Sequence, residues 1–334
     1  MKFSDIIGND RVKSLLKKSI IENNYAKAYL FFGPPGSGKT RMAYTFAQGI
    51  LCSDFREHGD NCGVCPACKL MGDANYPDFY SVAPTKKTKT ARDTTILIEQ
   101  IRTLQRNLSL KSYYKSYKIA VIEEAHKMNI NSANSFLKTL EEPPGDTIII
   151  LITDKKNLLL PTIVSRCISI PFTKPSRAEM KVWLLENFTK DESEADKYIA
   201  YSDANPRYLD YFSIGDYIAF TESIFSQLLT LLQNRDTILR KAIEFFDIQD
   251  VFKQIKLKKA MESVDKARVL LDIFSIFLLE RLKKHDIPCA DAAIEKTLKA
   301  IDDIEGYKVL IDRNVDFDII SANALNRIGE ICMN

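Results

Sequence analysis

The sequence lacks the features that place a protein in or through a membrane. It has no apolar run near the ~18 residues that a membrane-spanning helix needs. Residues 1–5 do not begin the apolar core of a secretory signal. The chain also has little net charge, because 47 basic and 44 acidic residues leave a formal charge of +3. We therefore expect a soluble cytoplasmic protein without membrane contact, whose nucleic-acid contacts come only from local patches or partner chains.

The chain is longer than one hydrophobic core usually serves. Its 334 residues predict two or three domains. Apolar runs alternate with helical patterns over residues 28–171, whereas residues 176–333 show helical patterns almost throughout. The first half predicts a doubly wound α/β domain with a mostly parallel sheet. In the second half, residues 269–279 are apolar nearly all round, which predicts a helix buried in a bundle or against another subunit.

A phosphate-binding loop is the clearest motif of the chain. It follows an apolar run typical of a buried strand, precedes a helical pattern at residues 41–51, and reads G-x-x-x-x-G-K-T. Glycines let backbone N–H groups close around phosphate oxygens, and the helix adds its positive end. We expect Lys39 to reach the outer phosphates and the Thr40 hydroxyl to bind Mg²⁺. The predicted loop consists of Gly33, Pro34, Pro35, Gly36, Ser37, Gly38, Lys39 and Thr40. A chance glycine-rich turn is the alternative.

Two carboxylates follow the apolar strand pattern at residues 118–122, as in a Walker B motif. Glu123 is expected to hold Mg²⁺ through water, and Glu124 to polarise an attacking water as a general base. The first carboxylate of such a motif is usually Asp, and Glu123 is longer by one methylene. The altered metal geometry puts efficient ATP hydrolysis in doubt more than nucleotide binding. A strand that merely ends at a solvated acidic turn is the alternative. Thr153 ends a neighbouring apolar run, where a polar side chain can sense the outer phosphate.

Four cysteines are clustered in the pattern C-x9-C-x2-C-x2-C. They are Cys52, Cys62, Cys65 and Cys68. Thiolates at this spacing can surround one tetrahedral ion, and four of them make a closed structural Zn²⁺ site. An iron–sulfur cluster, a redox pair, or buried and free thiols are the alternatives.

Together with further motifs, these residues carry a family resemblance. The further motifs are Ile7-Gly8, the run L-K-T-L-E-E-P-P at residues 137–144, and Ser165-Arg166-Cys167. The sequence resembles bacterial clamp-loader subunits of the AAA+ class, most closely the delta-prime type of DNA polymerase III. The resemblance implies an AAA+ domain at 1–174 with a four-cysteine zinc module at 52–68, a helical lid at 175–213, and an all-α collar for oligomerisation at 214–334.

The resemblance also implies partners and cofactors. A subunit of this kind joins gamma/tau and delta subunits in a five-membered ring, which uses ATP to load a sliding clamp on primed DNA. ATP, Mg²⁺ and Zn²⁺ are the implied cofactors. Polymerase activity would belong to the holoenzyme and not to this chain.

Three residues receive roles from the resemblance. Arg166 matches an arginine finger that reaches into a neighbour's ATP site, although an ordinary surface arginine is the alternative. Arg207 resembles the phosphate-sensing arginine of the lid, but Ala204 stands where glycine is usual. Thr153 corresponds to the sensor at the strand end.

The Glu123–Glu124 pair and the opening residues favour the delta-prime type, with ATP binding and weak hydrolysis of its own. The alternatives are a gamma/tau-like motor ATPase that uses Glu124 as its base, and an unrelated zinc-containing P-loop NTPase that acts alone.

Overall fold

The structure is a computed structural model that divides into two compact units. It describes residues 1–73, 75–86, 94–114, 117–233, 252, 257–258, 261, 263–283, 291–312 and 317–332. The first unit comprises Met1–Glu179 and the second comprises Met180–Asn334. The three predicted domains divide the chain more finely than this, and their boundaries stay a prediction.

A five-stranded parallel sheet is the centre of the first unit. The strands are β1 (Ala28–Phe32), β2 (Phe79–Val82), β5 (Lys118–Ile122), β6 (Thr147–Thr153) and β7 (Ile168–Pro171), and their spatial order is β2-β5-β6-β1-β7. Every pairing within this sheet is parallel. A short antiparallel pair, β3 (Thr85–Lys86) and β4 (Thr94–Thr95), lies outside it. The sheet confirms the predicted parallel α/β class.

Helices enclose this sheet because its strands are apolar on both faces. Along β1, Tyr29 and Phe31 enter one buried core, whereas Ala28 and Leu30 enter the other. This alternation follows from the two-residue period of a strand, and continuous apolar runs are typical of a parallel sheet covered on both sides. The helices of this unit are α1 (Asp10–Glu22), α2 (Lys39–Leu51), α3 (Phe55–His58), α4 (Pro66–Gly72), α5 (Ile98–Ser109), α6 (Ile130–Glu141) and α7 (Pro161–Val164).

The second unit consists of helices and their connections, with no strand among its described residues. Its helices are α8 (Arg177–Asn187), which contains the division between the units, α9 (Glu192–Ser202), α10 (Ile214–Gln233), α11 (Ser263–Lys283), α12 (Asp291–Asp312) and α13 (Phe317–Cys332). The apolar run predicted to be buried lies in α11, where Leu270, Phe274 and Leu278 are fully buried and Leu279 remains 38% exposed. Among the described helices, none is both long and apolar enough to cross a bilayer.

Candidate functional site

The phosphate-binding loop connects the carboxyl end of β1 to the first residue of α2. Gly33 has φ +153°, and a Cβ at this position would lie 2.3 Å from the carbonyl oxygen of Phe172. Only glycine therefore lets the chain leave β1 so close to the residue that follows β7. Gly38 adopts a left-handed conformation directly before α2 begins at Lys39. The predicted strand, loop and helix are thus all present, and the helix N-terminus faces the loop that precedes it.

Lys39 lies inside the loop and is 5% exposed. Its ammonium donates to the carbonyl oxygens of Gly33 at 2.9 Å and Pro34 at 2.6 Å, and to the Ser37 hydroxyl at 3.1 Å. It also pairs with the Asp154 carboxylate at 2.7 Å. Asp154 directly follows β6, which neighbours β1. The lysine charge is therefore held at the point where two adjacent strands end.

The first Walker-B-like carboxylate contacts the helix that follows the phosphate-binding loop. The Tyr44 hydroxyl donates to Glu123 Oε1 at 2.8 Å. Tyr44 follows Thr40 by four residues, so the two side chains share one face of α2. Burial and the nearby Glu123 carboxylate both raise the pKa of Tyr44, which keeps the hydroxyl protonated as the donor. Glu123 therefore lies beside α2, the helix that also contains Thr40, the other predicted Mg²⁺ ligand.

The second carboxylate lies in a strained turn. Glu124 has φ +45° and directly precedes a 3-10 helix at Ala125–Lys127. Its side chain is 44% exposed and pairs with Lys127 at 2.7 Å. A non-glycine residue in the left-handed region costs free energy, so the surrounding turn holds Glu124 in this conformation. The ion pair with Lys127, a residue of the same turn, sets the orientation of the Glu124 carboxylate.

Thr153 lies at the end of β6 and is 1% exposed. Its hydroxyl oxygen accepts the Lys155 N–H at 3.0 Å and lies 3.0 Å from His126 Nδ1. Burial lowers the pKa of His126, an effect that the Glu124 and Asp154 carboxylates oppose. The imidazole is therefore neutral near pH 7. The predicted sensor thus has a histidine neighbour that the sequence pattern did not indicate.

Asn9 connects the N-terminal segment to the phosphate-binding loop. Its amide donates to the carbonyl oxygens of Ser37 at 3.1 Å and Thr173 at 3.0 Å, and it accepts the Thr173 N–H at 3.0 Å. Three hydrogen bonds from one side chain fix the loop against the segment after β7. This residue positions the loop backbone, and sequence reasoning missed it.

Arg166 is paired within its own unit. Its Nε donates to Glu141 Oε1 at 2.7 Å, its Nη2 also contacts that oxygen, and its Nη1 donates to the Thr162 carbonyl oxygen at 2.9 Å. The side chain nevertheless remains 32% exposed. The guanidinium thus lies at the surface, in an orientation set by the end of α6 and by α7.

Arg207 belongs to the second unit. It starts the 3-10 helix at Pro206–Asp210 together with Pro206, and its Nη2 donates to Asp265 at 2.8 Å. Asp265 also accepts the Tyr211 hydroxyl at 3.0 Å. The predicted phosphate-sensing role of Arg207 stays a prediction.

The four predicted cysteines converge beside α2. Their sulfur atoms all lie within 4.8 Å of one another, with Sγ–Sγ distances of 3.6 Å for Cys52–Cys62, 3.9 Å for Cys62–Cys68 and 4.0 Å for Cys52–Cys65. A tetrahedral Zn–S length of about 2.3 Å requires S···S edges of about 3.8 Å. The sulfur arrangement therefore fits one tetrahedral ion with all four positions closed by thiolates.

Backbone N–H groups favour the thiolate form of one cysteine of this cluster, Cys65. The Cys65 N–H points to Cys62 Sγ at 3.3 Å, and the Cys68 N–H points to Cys65 Sγ at 3.4 Å. Burial alone would raise the pKa of the Cys65 thiol, but the N–H groups of Cys68 and Ser53 lower it to about 6 overall. At Cys52 and Cys68 the effect of burial is larger than that of their hydrogen bonds, and it raises the pKa of both thiols. A thiolate is the form that binds a metal.

Sequence reasoning found the motifs and missed their partners. The structure brings the loop, Glu123, Glu124 and Thr153 to adjacent strand ends of one sheet, whereas Arg166 lies at α7 and Arg207 lies in the other unit. The missed partners are Asn9, Tyr44, His126, Glu141 and Asp154. Two of them carry a local signal: Tyr44 lies one helical turn after Thr40, and Asp154 directly follows Thr153.

Comparison with known proteins identifies relatives for this architecture. The family described as DNA polymerase III, delta subunit, matches residues 8–176. The chain is 35% identical over 183 residues to DNA polymerase III subunit delta' of Pseudomonas aeruginosa, which covers 54% of each protein. It is 28% identical over 317 residues to subunit delta' of Bacillus subtilis, covering 87% of this chain and 88% of that protein. The match thus spans about half the length of the Pseudomonas relative and most of the Bacillus one.

Other relatives are named differently. Subunit tau of Bacillus subtilis is 30% identical over 176 residues, which are 52% of this chain and 29% of that protein. Among solved structures, a DNA polymerase III gamma subunit-related protein from Thermotoga maritima is similar with a TM-score of 0.49 and 18% identity, covering 96% of this chain and 99% of that one.

Proposed function

Because the chain belongs to the DNA polymerase III, delta subunit family, we propose that it serves as a delta-prime-type subunit of the bacterial clamp loader. In this role it joins gamma/tau and delta subunits in a five-membered ring that loads the sliding clamp on primed DNA. The observation that carries the proposal is the family match over residues 8–176, which contains the phosphate-binding loop, the cysteine cluster and Arg166. A replication role agrees with the expected cytoplasmic location, which stays a prediction.

The loop would hold the phosphates of ATP. Its glycines permit close approach of backbone N–H groups, and Lys39 offers a buried ammonium. Thr40 and Glu123 would hold Mg²⁺, which neutralises phosphate charge when bound. Glu124 would act as the base if the chain hydrolyses ATP. We expect weak hydrolysis, because Glu123 replaces the usual Asp and its extra methylene alters the geometry at the metal.

Arg166 would act on a neighbouring subunit. Its guanidinium lies at the surface, 32% exposed, and contacts Glu141 and Thr162. An arginine supplied in trans stabilises the charge that spreads over a transferring phosphoryl group and raises the rate by about 10³–10⁵. Its exposed position is compatible with such a role, whereas a buried arginine would not reach a neighbour.

The cysteine cluster would bind a structural zinc ion. Sulfur spacing near the edge of a ZnS₄ tetrahedron and N–H groups aimed at two sulfurs support this choice. Four thiolates leave no open position for catalysis, so the proposed role is to stabilise the segment between α2 and α4.

Mixing experiments test the proposed function. The chain alone is expected to bind Mg²⁺–ATP with little turnover, and to stimulate the ATPase of a gamma/tau partner. Arg166→Ala should abolish that stimulation without changing nucleotide binding by the chain. Arg106→Ala is the matched control, because Arg106 is an exposed arginine on α5 whose Nη2 donates to the Thr103 hydroxyl of the same helix. Normal stimulation by Arg166→Ala would refute the finger role, and no binding of ATP would refute the nucleotide role.

A gamma/tau-like motor ATPase is the second candidate. The match to subunit tau and the intact loop around Lys39 favour it. Substantial hydrolysis by the chain itself, removed by Lys39→Ala, would support the motor. Fast ATP hydrolysis by the isolated chain, at a rate that Arg166→Ala does not change, would instead support an independent P-loop NTPase.

A further inference from the structure

The Thr153 hydroxyl can donate a hydrogen bond to a phosphate only if its neighbours in the protein leave its hydrogen available. A threonine hydroxyl offers one hydrogen and two lone pairs. The Lys155 N–H, at 3.0 Å, occupies one lone pair. His126 Nδ1, also at 3.0 Å, occupies either the second lone pair or the hydrogen. The remaining position is what Thr153 can offer to a ligand.

The tautomer of His126 decides which position remains. If Nδ1 carries a proton, it donates to the second lone pair and leaves the hydroxyl hydrogen available. If Nδ1 is bare, it accepts that hydrogen, and Thr153 has nothing to donate. Phosphate oxygens only accept hydrogen bonds at neutral pH, so Thr153 can bind a phosphate in the first case and not in the second.

The surroundings of His126 keep the ring neutral, and its Nδ1 is held by the contact with the Thr153 hydroxyl. Burial lowers its pKa; the Glu124 and Asp154 carboxylates oppose this effect, and Lys127 and Lys155 add to it. These charges come from the turn that contains the ring and from the end of β6. A neutral imidazole exists as two tautomers, and the bond made by one nitrogen selects between them.

We propose that His126 is a positioning residue that donates from Nδ1 to Thr153 and thereby directs the Thr153 hydroxyl hydrogen to the outer phosphate of a bound nucleoside triphosphate. This inference rests on the proposed nucleotide binding. It assigns a role to a residue between the Walker-B-like strand and the sensor strand. His126 belongs to the turn that carries Glu124, so the same ring links the candidate base to the sensor.

Nitrogen-15 NMR of histidine-labelled full-length protein reads this tautomer directly. The chain has three histidines, His58, His126 and His285, and His126→Asn assigns the relevant signals by their loss. With a non-hydrolysable ATP analogue and Mg²⁺ bound, the proton of His126 is expected on Nδ1. A bare Nδ1 in that complex overturns the inference while leaving nucleotide binding intact. Failure of the wild-type chain to bind any nucleotide overturns both the inference and the proposed nucleotide role.

Binding measurements give a second readout. Thr153→Val is expected to lower the preference for the ATP analogue over ADP by about tenfold, as for the loss of one hydrogen bond to a charged group. His126→Phe should cause a similar loss, and the double variant should lose no more than either one. His126→Asn keeps an amide donor near the Nδ1 position and should retain most of the preference. Additive losses would overturn the coupling, and His58→Asn is the control expected to change nothing.

Discussion

Neutralising Glu141 tests the proposed action of Arg166 on a neighbouring subunit. Arg166 Nε donates to Glu141 Oε1 at 2.7 Å, and Nη1 donates to the Thr162 carbonyl oxygen at 2.9 Å. To reach a phosphate on another subunit, the guanidinium must weaken its bond to Glu141. Glu141→Gln keeps an oxygen acceptor of the same length and removes only the charge. We therefore expect the variant to stimulate the partner's ATPase more strongly than the wild type does.

The magnitude follows from the exposure of the pair. The side chains of Arg166 and Glu141 are 32% and 47% exposed, so solvent screens their attraction. Exposed ion pairs contribute about 0.2–1 kcal/mol, which bounds the gain at roughly fivefold in rate. The gain should shrink as salt is added, because the Debye length falls from about 10 Å at 0.1 M to about 3 Å at 1 M.

Steady-state ATPase of a gamma/tau partner, titrated with each variant at low and high salt, measures the effect. Glu142→Gln is the matched control, because it makes the same charge change at the next, exposed residue. A Glu141→Gln variant that loses stimulation, as Arg166→Ala is expected to do, would refute the reasoning. It would mean that Glu141 holds the guanidinium in its working orientation.

Three further variants test other parts of the structure. Tyr44→Phe removes the donor to Glu123 and should weaken Mg²⁺-dependent nucleotide binding by about fivefold; unchanged affinity in titrations with and without Mg²⁺ would contradict this. Asp60→Asn should lower the free energy of unfolding by about 1–2 kcal/mol at pH 7. The pKa of Asp60 is lowered, because backbone N–H donors such as that of Phe3 outweigh the effect of burial. Its stabilisation is therefore present above about pH 4 and lost as pH falls below that value, so denaturant curves of the two proteins should converge in acid. Cys65→Ser should lower bound zinc, measured by elemental analysis, whereas Cys167→Ser should not; full zinc content in Cys65→Ser would refute the cluster.

The fold was predictable where its signals are local. Strand, loop and helix around the phosphate-binding motif follow from an apolar run, glycines and a helical period, which are all contiguous in sequence. The cysteine cluster was likewise predictable from local spacing, because a C-x2-C segment brings two thiols into one turn. The parallel α/β class followed from the alternation of these elements. The strand order did not, because several orders satisfy the same alternation.

The site partners were hidden for the same reason. Lys39 meets Asp154 because β1 and β6 are neighbours, and the 114 residues between them in the sequence give no indication of that adjacency. His126 meets Thr153 only because β5 and β6 are paired. These contacts come from the spatial order of strand ends, whereas sequence patterns describe each strand by itself. Residues next to a motif were foreseeable, and residues opposite it were not.

Ion pairs within the chain explain how the candidate site remains stable while carrying several charges. Its charged groups are paired inside the chain: Lys39 with Asp154, Glu124 with Lys127, and Arg166 with Glu141. A buried ammonium such as that of Lys39 would be costly without a carboxylate beside it. A phosphate that reaches Lys39 therefore exchanges one anionic partner for another. Under the proposed nucleotide binding, affinity would reflect the difference between two ion pairs, and the higher charge of a phosphate, together with the N-terminus of α2, would favour the exchange.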